Sequence, residues 1–240
     1  MDSPRSGSTE RTIGGAPRLT SRTWQEAGGI LVVPLGSTEQ HGPHLPLDVD
    51  TRVALAVADE LVRRWRASGR DASVGPAIAV GASGEHQGFA GTVSIGTDAL
   101  RTVIVEIGRS ASVWAERLVF VNGHGGNVDA VSSAVGILRG EGRAAMWVPC
   151  EIPGSDAHAG RTETSLMLHL DAGAVRVERA ERGEVRPLAA ILPALRESGV
   201  AAVSPNGVLG DPAGANAGEG AALLESMCDL AWQRATAEAR

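Results

Sequence analysis

The sequence contains no tyrosine, and aromatic residues make up only 3% of its 240 residues. Because hydrophobic residues still make up 43%, the core must be built from aliphatic side chains. The chain also lacks an apolar run of the roughly 18 residues that a membrane-spanning helix needs. The length fits one large domain or two small ones, and we do not expect a membrane partner.

Cysteine and clustered positive charge are equally scarce. The two isolated cysteines, Cys150 and Cys228, exclude a disulfide framework and a thiolate metal motif, and we expect both in the core. The net charge is −6, and the densest basic run, residues 63–66, lies on a predicted helix, so we expect no nucleic-acid partner. The N-terminus has no apolar segment of signal-peptide type, and we expect a cytoplasmic protein.

Apolar runs and amphipathic stretches alternate along the chain after residue 18. Residues 1–18 are rich in Ser, Gly, Arg and Pro and predict a disordered tail. The predicted strands are 30–35, 74–80, 117–121 and 144–148. The predicted helices lie at about 50–65, 98–107, 128–138, 162–170, 188–197 and 219–235, and the pair Asp211-Pro212 predicts a helix N-terminus.

The order of these elements predicts an α/β fold with a mostly parallel central sheet and helices on both faces. Strand, loop and helix repeat in that order through the first 150 residues. We find no internal repeat and no linker that would separate a second domain. Residues 19–240 are therefore expected to form a single domain.

The densest group of metal-binding residue types lies directly after the first predicted strand. Residues 36–50 read GSTEQHGPHLPLDVD and include two histidines and three carboxylates. Glu39 and His41 are two positions apart, so in an extended segment their side chains point the same way. Loops at the carboxyl ends of parallel strands bind ligands, and carboxylate with imidazole suits zinc, manganese or iron.

Two acidic residues compete for roles at the start of the helix that follows. Asp50 could cap the helix, bind a metal, or do both, because a carboxylate has two oxygens. Asp48 is the alternative for the cap or for a supporting position behind a ligand. His44 lies in a rigid Gly-Pro-His turn, which favours a structural or supporting role over direct ligation.

Two further loops carry residues suited to the same site. His124 follows the third strand in the sequence NGHGGN, whose glycines predict either a tight turn or close approach of backbone amides to a ligand. His158 is a candidate general acid or base because its unperturbed pKa lies near neutral pH. Glu163 follows five residues later, where it could simply be a favourable first-turn carboxylate. No nucleophile elbow, Walker loop or His-Glu-x-x-His motif is present.

The first of these motifs, residues 36–46 with Asp50 behind them, resembles the signature of the creatininase family. Residues 122–127 resemble the second motif of that family, and the similarity extends from about residue 20 to the C-terminus. Three further stretches, residues 84–96, 156–165 and 208–212, are similar to a branch of the family that cleaves peptides. The resemblance implies a three-layer α/β/α fold, a metal site that is often binuclear, hydrolysis of amide-type bonds, and a homo-oligomer.

The resemblance also implies roles for individual residues. The positions that match family metal ligands are Glu39, His41, Asp50 and His124. Asp50 would bridge two ions, and His158 matches the catalytic histidine. Creatinine-hydrolysing members carry a further carboxylate ligand two residues after the equivalent of His124, where this chain has Gly126. This departure argues against creatinine as the substrate, and we expect Glu163 to supply the missing ligand.

The implied substrate is a modified ribosomal precursor peptide that is trimmed near its C-terminus during the maturation of a redox cofactor. The implied cofactor is a divalent metal, two ions per subunit, with zinc, iron or manganese all compatible with the ligands. One alternative is the same chemistry on a small amide, such as a formamide. A second alternative is a metal-stabilised binding module without catalysis, whose site would be closed.

Overall fold

A computed structural model describes residues 15–237 and contains one four-stranded sheet. Its strands are β1 Ile30–Leu35, β2 Ala72–Val74, β3 Arg117–Asn122 and β4 Ala145–Pro149. The strand order is β2-β1-β3-β4, and every neighbouring pair is parallel. Parallel neighbours require a crossover, and a helix provides each one here.

Helices cover both faces of this sheet. They are α1 Val49–Ala67, α2 Gly96–Ala111, α3 Val128–Gly140, α4 Arg161–Asp171, α5 Leu188–Ser198, α6 Val200–Val203 and α7 Ala217–Ala237. One buried cluster joins the sheet to α1, α4 and α7, and a second joins its other face to α2 and α3. The predicted three-layer α/β/α architecture is therefore confirmed. Within residues 15–237, none of the helices has both the length and the apolar character that crossing a membrane requires.

The alternation of side chains along β1 explains why its sequence is continuously apolar. Ile30 and Val32 belong to the cluster under α1, whereas Leu31, Val33 and Leu35 belong to the cluster under α2 and α3. Successive side chains of a strand point to opposite faces. Because helices cover both faces, every residue of β1 is buried, as is usual for parallel sheets.

The second strand differs from its predicted range of 74–80, because β2 ends at Val74. Gly75 still donates to the carbonyl of Val32 (2.8 Å), and Ile78 donates to that of Pro34 (2.9 Å). Pro76 stands between these contacts and has no N–H to donate, so the ladder is broken there. The chain therefore follows β1 further, but not as a regular strand.

The prediction of a helix N-terminus at Asp211-Pro212 is wrong. The carboxylate of Asp211 accepts a hydrogen bond from the amide of Ala213 (3.0 Å), which closes a local turn. The last helix, α7, begins at Ala217 instead. Asp and Pro favour turns as well as helix starts, and here the turn prevails.

The predicted tail, residues 1–18, lies mostly outside the described residues. Its last four residues are described and contact the domain. Ala16 is buried, the amide of Val74 donates to the carbonyl of Pro17 (2.9 Å), and Arg18 pairs with Asp59 (2.9 Å).

Two glycines allow the start of α1 to pack closely against the carboxyl edge of the sheet. A Cβ atom at Gly36, directly after β1, would lie 2.5 Å from the Cα atom of Thr51. A Cβ atom at Gly123, directly after β3, would lie 2.4 Å from the carbonyl oxygen of Asp50. This close approach brings the loops after β1 and β3 and the first turn of α1 to one place.

Gly36→Ala should therefore destabilise the protein, because the added methyl group overlaps the backbone of α1. We expect the free energy of unfolding to fall by about 1–3 kcal/mol, measured by urea denaturation of chelator-treated protein. The matched control is Gly136→Ala, in the middle of α3. Outside the adjacent residues and the backbone of α3 itself, no described atom lies within 4 Å of a Cβ at that position, so that variant should be neutral or stabilised by up to about 1 kcal/mol. Equal losses in both variants would contradict this explanation.

Candidate metal centre

Glu39 lies at the centre of the site, four residues beyond the end of β1. Its side chain has no exposed surface, and neither carboxylate oxygen has a hydrogen-bond partner among the described residues. The nearest polar groups are imidazole nitrogens: His124 Nε2 lies 3.2 Å from Oε2 and His86 Nε2 lies 3.3 Å from Oε1. A buried ionised carboxylate costs several kcal/mol unless it is paired, so this position calls for a cation.

Asp50 stands between two imidazoles in the first turn of α1. Its Oδ1 lies 3.1 Å from His41 Nε2, and its Oδ2 lies 3.2 Å from His124 Nδ1. The hydroxyl of Ser37 also donates to Oδ2 (2.6 Å), which fixes the carboxylate. Asp48, the residue before the helix, makes no side-chain cap and instead accepts from Arg52 (2.8 Å). Asp50 therefore has the geometry of a bridging ligand.

His41 and His124 lie on opposite sides of the Asp50 carboxylate. The Nδ1 of His41 lies 3.1 Å from the carbonyl oxygen of Glu39; because a carbonyl only accepts, Nδ1 carries a proton. The other nitrogen, Nε2, points towards Asp50 and lies 3.9 Å from Glu163 Oε2. The ring of His158 packs against His41, with 4.3 Å between the centroids.

Among residues 15–237, three groups of side chains have ligand atoms that all lie within 4.8 Å of one another. These groups are Glu39 with Asp50 and His124, His41 with His158 and Glu163, and Glu39 with His86 and His158. All six residues predicted as ligands or catalytic group thus come together in one cluster. His44 lies outside these groups, and its Nε2 is instead 2.8 Å from the hydroxyl of Thr164.

The charges of the cluster compensate one another without a metal. Burial raises the pKa of Glu39, but the neighbouring His124 and His86 together outweigh this effect and bring that pKa down to about 2. Burial lowers the pKa of His41, but the carboxylates of Asp50, Glu163 and Glu39 together outweigh this effect and raise that pKa to about 10. The pKa of His124 is raised well above its usual value by Glu39 and Asp50, against the effect of burial. Protons on imidazoles therefore supply the positive charge that metal ions would otherwise bring.

His158 and Glu163 titrate differently from the other members of the cluster. Burial, followed by the nearby His41 and His86, lowers the pKa of His158 well below its usual value. Burial raises the pKa of Glu163 to about 7, and Asp50 adds to this, although His41 opposes it. At neutral pH, His158 is therefore an uncharged base.

Two residues beside the cluster, Glu85 and His86, were not among the predicted site residues. They lie in the glycine-rich stretch after β2, which folds as a short 3-10 turn, Gly84–His86. Glu85 Oε1 lies 3.4 Å from His124 Nε2 and 3.9 Å from His86 Nε2. The sequence did contain a signal for these two residues, because they place a carboxylate and an imidazole next to each other in a glycine-rich loop.

The space beside Gly126 is filled by the backbone of Ala82 and the side chains of His124 and Glu85. A Cβ atom at Gly126 would lie 2.4 Å from the carbonyl oxygen of Ala82, 2.5 Å from His124 Nε2 and 2.7 Å from Glu85 Oε1. The expected replacement ligand, Glu163, lies on the other side of the site, beside His41. The chain thus brings a carboxylate to each end of the cluster without using position 126.

The cluster opens into a cavity of about 670 Å³, which is large enough for several residues of a peptide. The cavity wall is formed by Asp50, His124, His158, Glu163, Val185 and Leu209, among others. An open cavity beside buried ligands is typical of a catalytic metal site, because a structural site is closed by its own ligands.

A three-layer α/β/α fold with carboxylates and imidazoles gathered at the carboxyl edge of its sheet defines a candidate metal-dependent hydrolase. The family model described as creatininase (creatinine amidohydrolase) matches residues 17–234. The chain therefore belongs to the creatininase family, as its motifs indicated.

Relatives and solved structures agree with this assignment. A "Mycofactocin precursor peptide peptidase" of Mycolicibacterium smegmatis is 56% identical over 214 residues, covering 89% of this chain and 87% of the relative. The protein of the same name from Mycobacterium tuberculosis H37Rv is 55% identical over 222 residues, covering 90% and 88%. The crystal structure of a creatinine amidohydrolase superposes with a TM-score of 0.75 at 24% identity, covering 93% of this chain and 98% of that one. Solved creatininases include a Zn–Zn form and a manganese form.

Metal binding should release about two protons per subunit at neutral pH. Without metal, His41 has a pKa of about 10 and that of His124 is also raised, so both rings are protonated at pH 7 and must lose a proton to bind an ion. The affinity should therefore increase as the pH rises towards about 10. Titration calorimetry in buffers of different ionisation enthalpy measures the released protons. Binding without proton release would show that these two rings are not ligands.

Proposed function

We propose that this chain is a metal-dependent peptidase that cleaves a modified ribosomal precursor peptide near its C-terminus during mycofactocin maturation. Family membership supports hydrolysis of an amide-type bond. The relatives that share 55–56% of their residues with it over about nine tenths of the chain support the peptide as substrate. The observation that carries the metal-dependent chemistry is the fully buried Glu39 carboxylate, whose oxygens have no hydrogen-bond partner in the described chain and lie 3.2 and 3.3 Å from imidazole nitrogens.

In this proposal two divalent ions, zinc, iron or manganese, occupy the cluster in each subunit. The residues that would hold them are Glu39, His41, Asp50, His124 and Glu163, with Asp50 shared between the ions. Carboxylate oxygens and imidazole nitrogens are suitable donors for all three metals. Bound ions would supply Lewis acidity, which polarises a scissile carbonyl and makes water a better nucleophile at neutral pH.

His158 is the proposed proton carrier. Its Nε2 lies 2.8 Å from the backbone carbonyl oxygen of Gln40; because a carbonyl only accepts, Nε2 holds the ring proton and Nδ1 is free. Nδ1 faces Glu39, 3.8 Å from Oε1. It can accept a proton from the attacking water and pass it to the leaving amine, which general acid-base catalysis of amide hydrolysis requires.

The organisation of the chain around this site is also part of the proposal. We treat residues 19–240 as a single creatininase-like domain. We expect a homo-oligomer in the cytoplasm. Size-exclusion chromatography with light scattering would give the number of subunits.

Incubating the purified protein with the modified precursor peptide should release a C-terminal fragment, detected by mass spectrometry. Glu39→Gln should abolish the release and reduce the bound metal, because it removes a buried anionic ligand without changing its shape. His169→Ala is the matched control: His169 is exposed on α4, away from the cluster, so that variant should cleave normally. A wild-type protein that hydrolyses only a small formamide and leaves the peptide intact would favour the alternative substrate.

His158→Ala should retain its metal and lose most of its activity. Proton transfer by a positioned side chain contributes roughly 10²- to 10⁴-fold to a rate, so kcat should fall by that factor. Metal content measured by mass spectrometry should stay at the wild-type level. If the variant lost one ion per subunit, His158 would be a ligand and not the proton carrier.

A further inference from the structure

Gln40 lies buried among the imidazoles of the site, with 5% of its surface exposed. Backbone groups fix its carboxamide at both ends. The amide of Gly42, which only donates, lies 2.8 Å from Oε1, and the carbonyl of Gly207, which only accepts, lies 3.0 Å from Nε2. The nitrogen of the carboxamide, and not its oxygen, therefore faces the histidines.

The two glycines that hold Gln40 make this arrangement rigid. Gly42 and Gly207 have φ angles of +65° and +80°, a region that other residues rarely adopt. A Cβ atom at Gly207 would lie 1.9 Å from Gln40 Oε1. The carboxamide is therefore enclosed by backbone that any side chain at position 207 would displace.

The two protons on Gln40 Nε2 have three neighbours within hydrogen-bond distance. These are the carbonyl of Gly207, His86 Nδ1 at 2.9 Å and His158 Nε2 at 3.1 Å. His158 Nε2 already holds a proton, because it faces the backbone carbonyl of Gln40 at 2.8 Å, so it cannot accept another. The two protons therefore go to Gly207 and to His86 Nδ1.

This pairing determines which nitrogen of His86 carries the ring proton. A neutral imidazole has one N–H and one acceptor nitrogen. Because His86 Nδ1 accepts from Gln40, the proton of His86 lies on Nε2, which is 3.3 Å from Glu39 Oε1. For Nε2 to bind a metal, the ring proton would have to move to Nδ1, where it would oppose the N–H of Gln40. This contact therefore disfavours a third cation site at Glu39, His86 and His158.

We propose that Gln40 is a positioning residue that holds His86 with its proton on Nε2, so that His86 supports the Glu39 carboxylate and does not bind metal. Although the 3.3 Å contact is not a hydrogen bond, the positive end of the His86 N–H faces Glu39 Oε1. It favours the orientation in which the other oxygen of Glu39 faces His124. Groups behind the ligands of a metal site commonly orient them in this way. The role of this pair rests on the proposed function, whereas the position of the proton on His86 is a property of the metal-free chain.

The proton positions can be read by NMR of the full chain with ¹⁵N-labelled histidine, without metal, at a pH well above the ordinary imidazole pKa of about 6.5. The His86→Asn and His158→Asn variants assign the two rings. We expect protonated Nε2 and bare Nδ1 in both His86 and His158. A proton on His86 Nδ1 in the wild-type protein would overturn the proposal.

Gln40→Glu provides the sharper comparison. It replaces the donor facing His86 with an acceptor of the same shape, so His86 Nδ1 should become protonated, either by transfer of the proton from Nε2 or by uptake of a second proton from solvent, while His158 should keep its proton on Nε2. Gln87→Glu is the matched control, since it adds the same charge at an exposed position next to His86 in sequence and should leave both rings unchanged. A folded Gln40→Glu variant with an unchanged His86 would overturn the proposal.

Metal titration of His86→Asn gives a second, independent readout. A residue behind a ligand typically changes metal affinity by about 10- to 100-fold, so the variant should bind more weakly by that factor but retain the wild-type number of ions. Loss of one ion per subunit would make His86 a ligand and overturn the proposal. If the wild-type protein bound metal but left the precursor peptide intact, only the proposed substrate would fail, because the NMR and metal readouts do not depend on cleavage.

Discussion

The arrangement of the site depends on one carboxylate that is buried without a hydrogen-bond partner in the described chain. Glu39 has no exposed surface, and its oxygens face imidazole nitrogens at 3.2 and 3.3 Å. Such a group is stable only where positive charge surrounds it. Protons on His41 and His124 can supply that charge in the metal-free chain, and divalent ions can replace those protons. The pairing of the Glu39 carboxylate with positive charge therefore contributes both to the stability of the fold and to the affinity for metal.

The sheet provides the geometry that this charge balance needs. β1 and β3 are adjacent and parallel, so the loops that carry Glu39 and His124 leave the sheet side by side. The glycines at positions 36 and 123 allow the first turn of α1 to approach them, which places Asp50 between the two loops. The dipole at the N-terminus of α1 also favours an anionic side chain at this position. The position of Asp50 between His41 and His124 is thus a consequence of helix packing.

Local patterns predicted much of this arrangement from the sequence. The spacing of Glu39 and His41, the helix start at Asp50 and the glycines around His124 each indicate a ligand within a few residues of a strand end. Sequence patterns did not predict Glu85 and His86, because the chain after β2 follows β1 only irregularly beyond Pro76 and reaches the site through an irregular loop. Their proximity to His124 and Glu39 depends on contacts about 40 residues apart in sequence, which no local pattern encodes.

The difference at position 126 shows how one family scaffold can support different ligand arrangements. A side chain there would overlap the backbone carbonyl of Ala82, the imidazole of His124 and the carboxylate of Glu85, so the observed packing requires glycine at this position. Glu85 comes from a loop and has a partly exposed side chain, whereas position 126 lies on a short turn between β3 and α3. In this chain the carboxylate beside His124 is therefore carried by the loop after β2, and the turn after β3 contributes none.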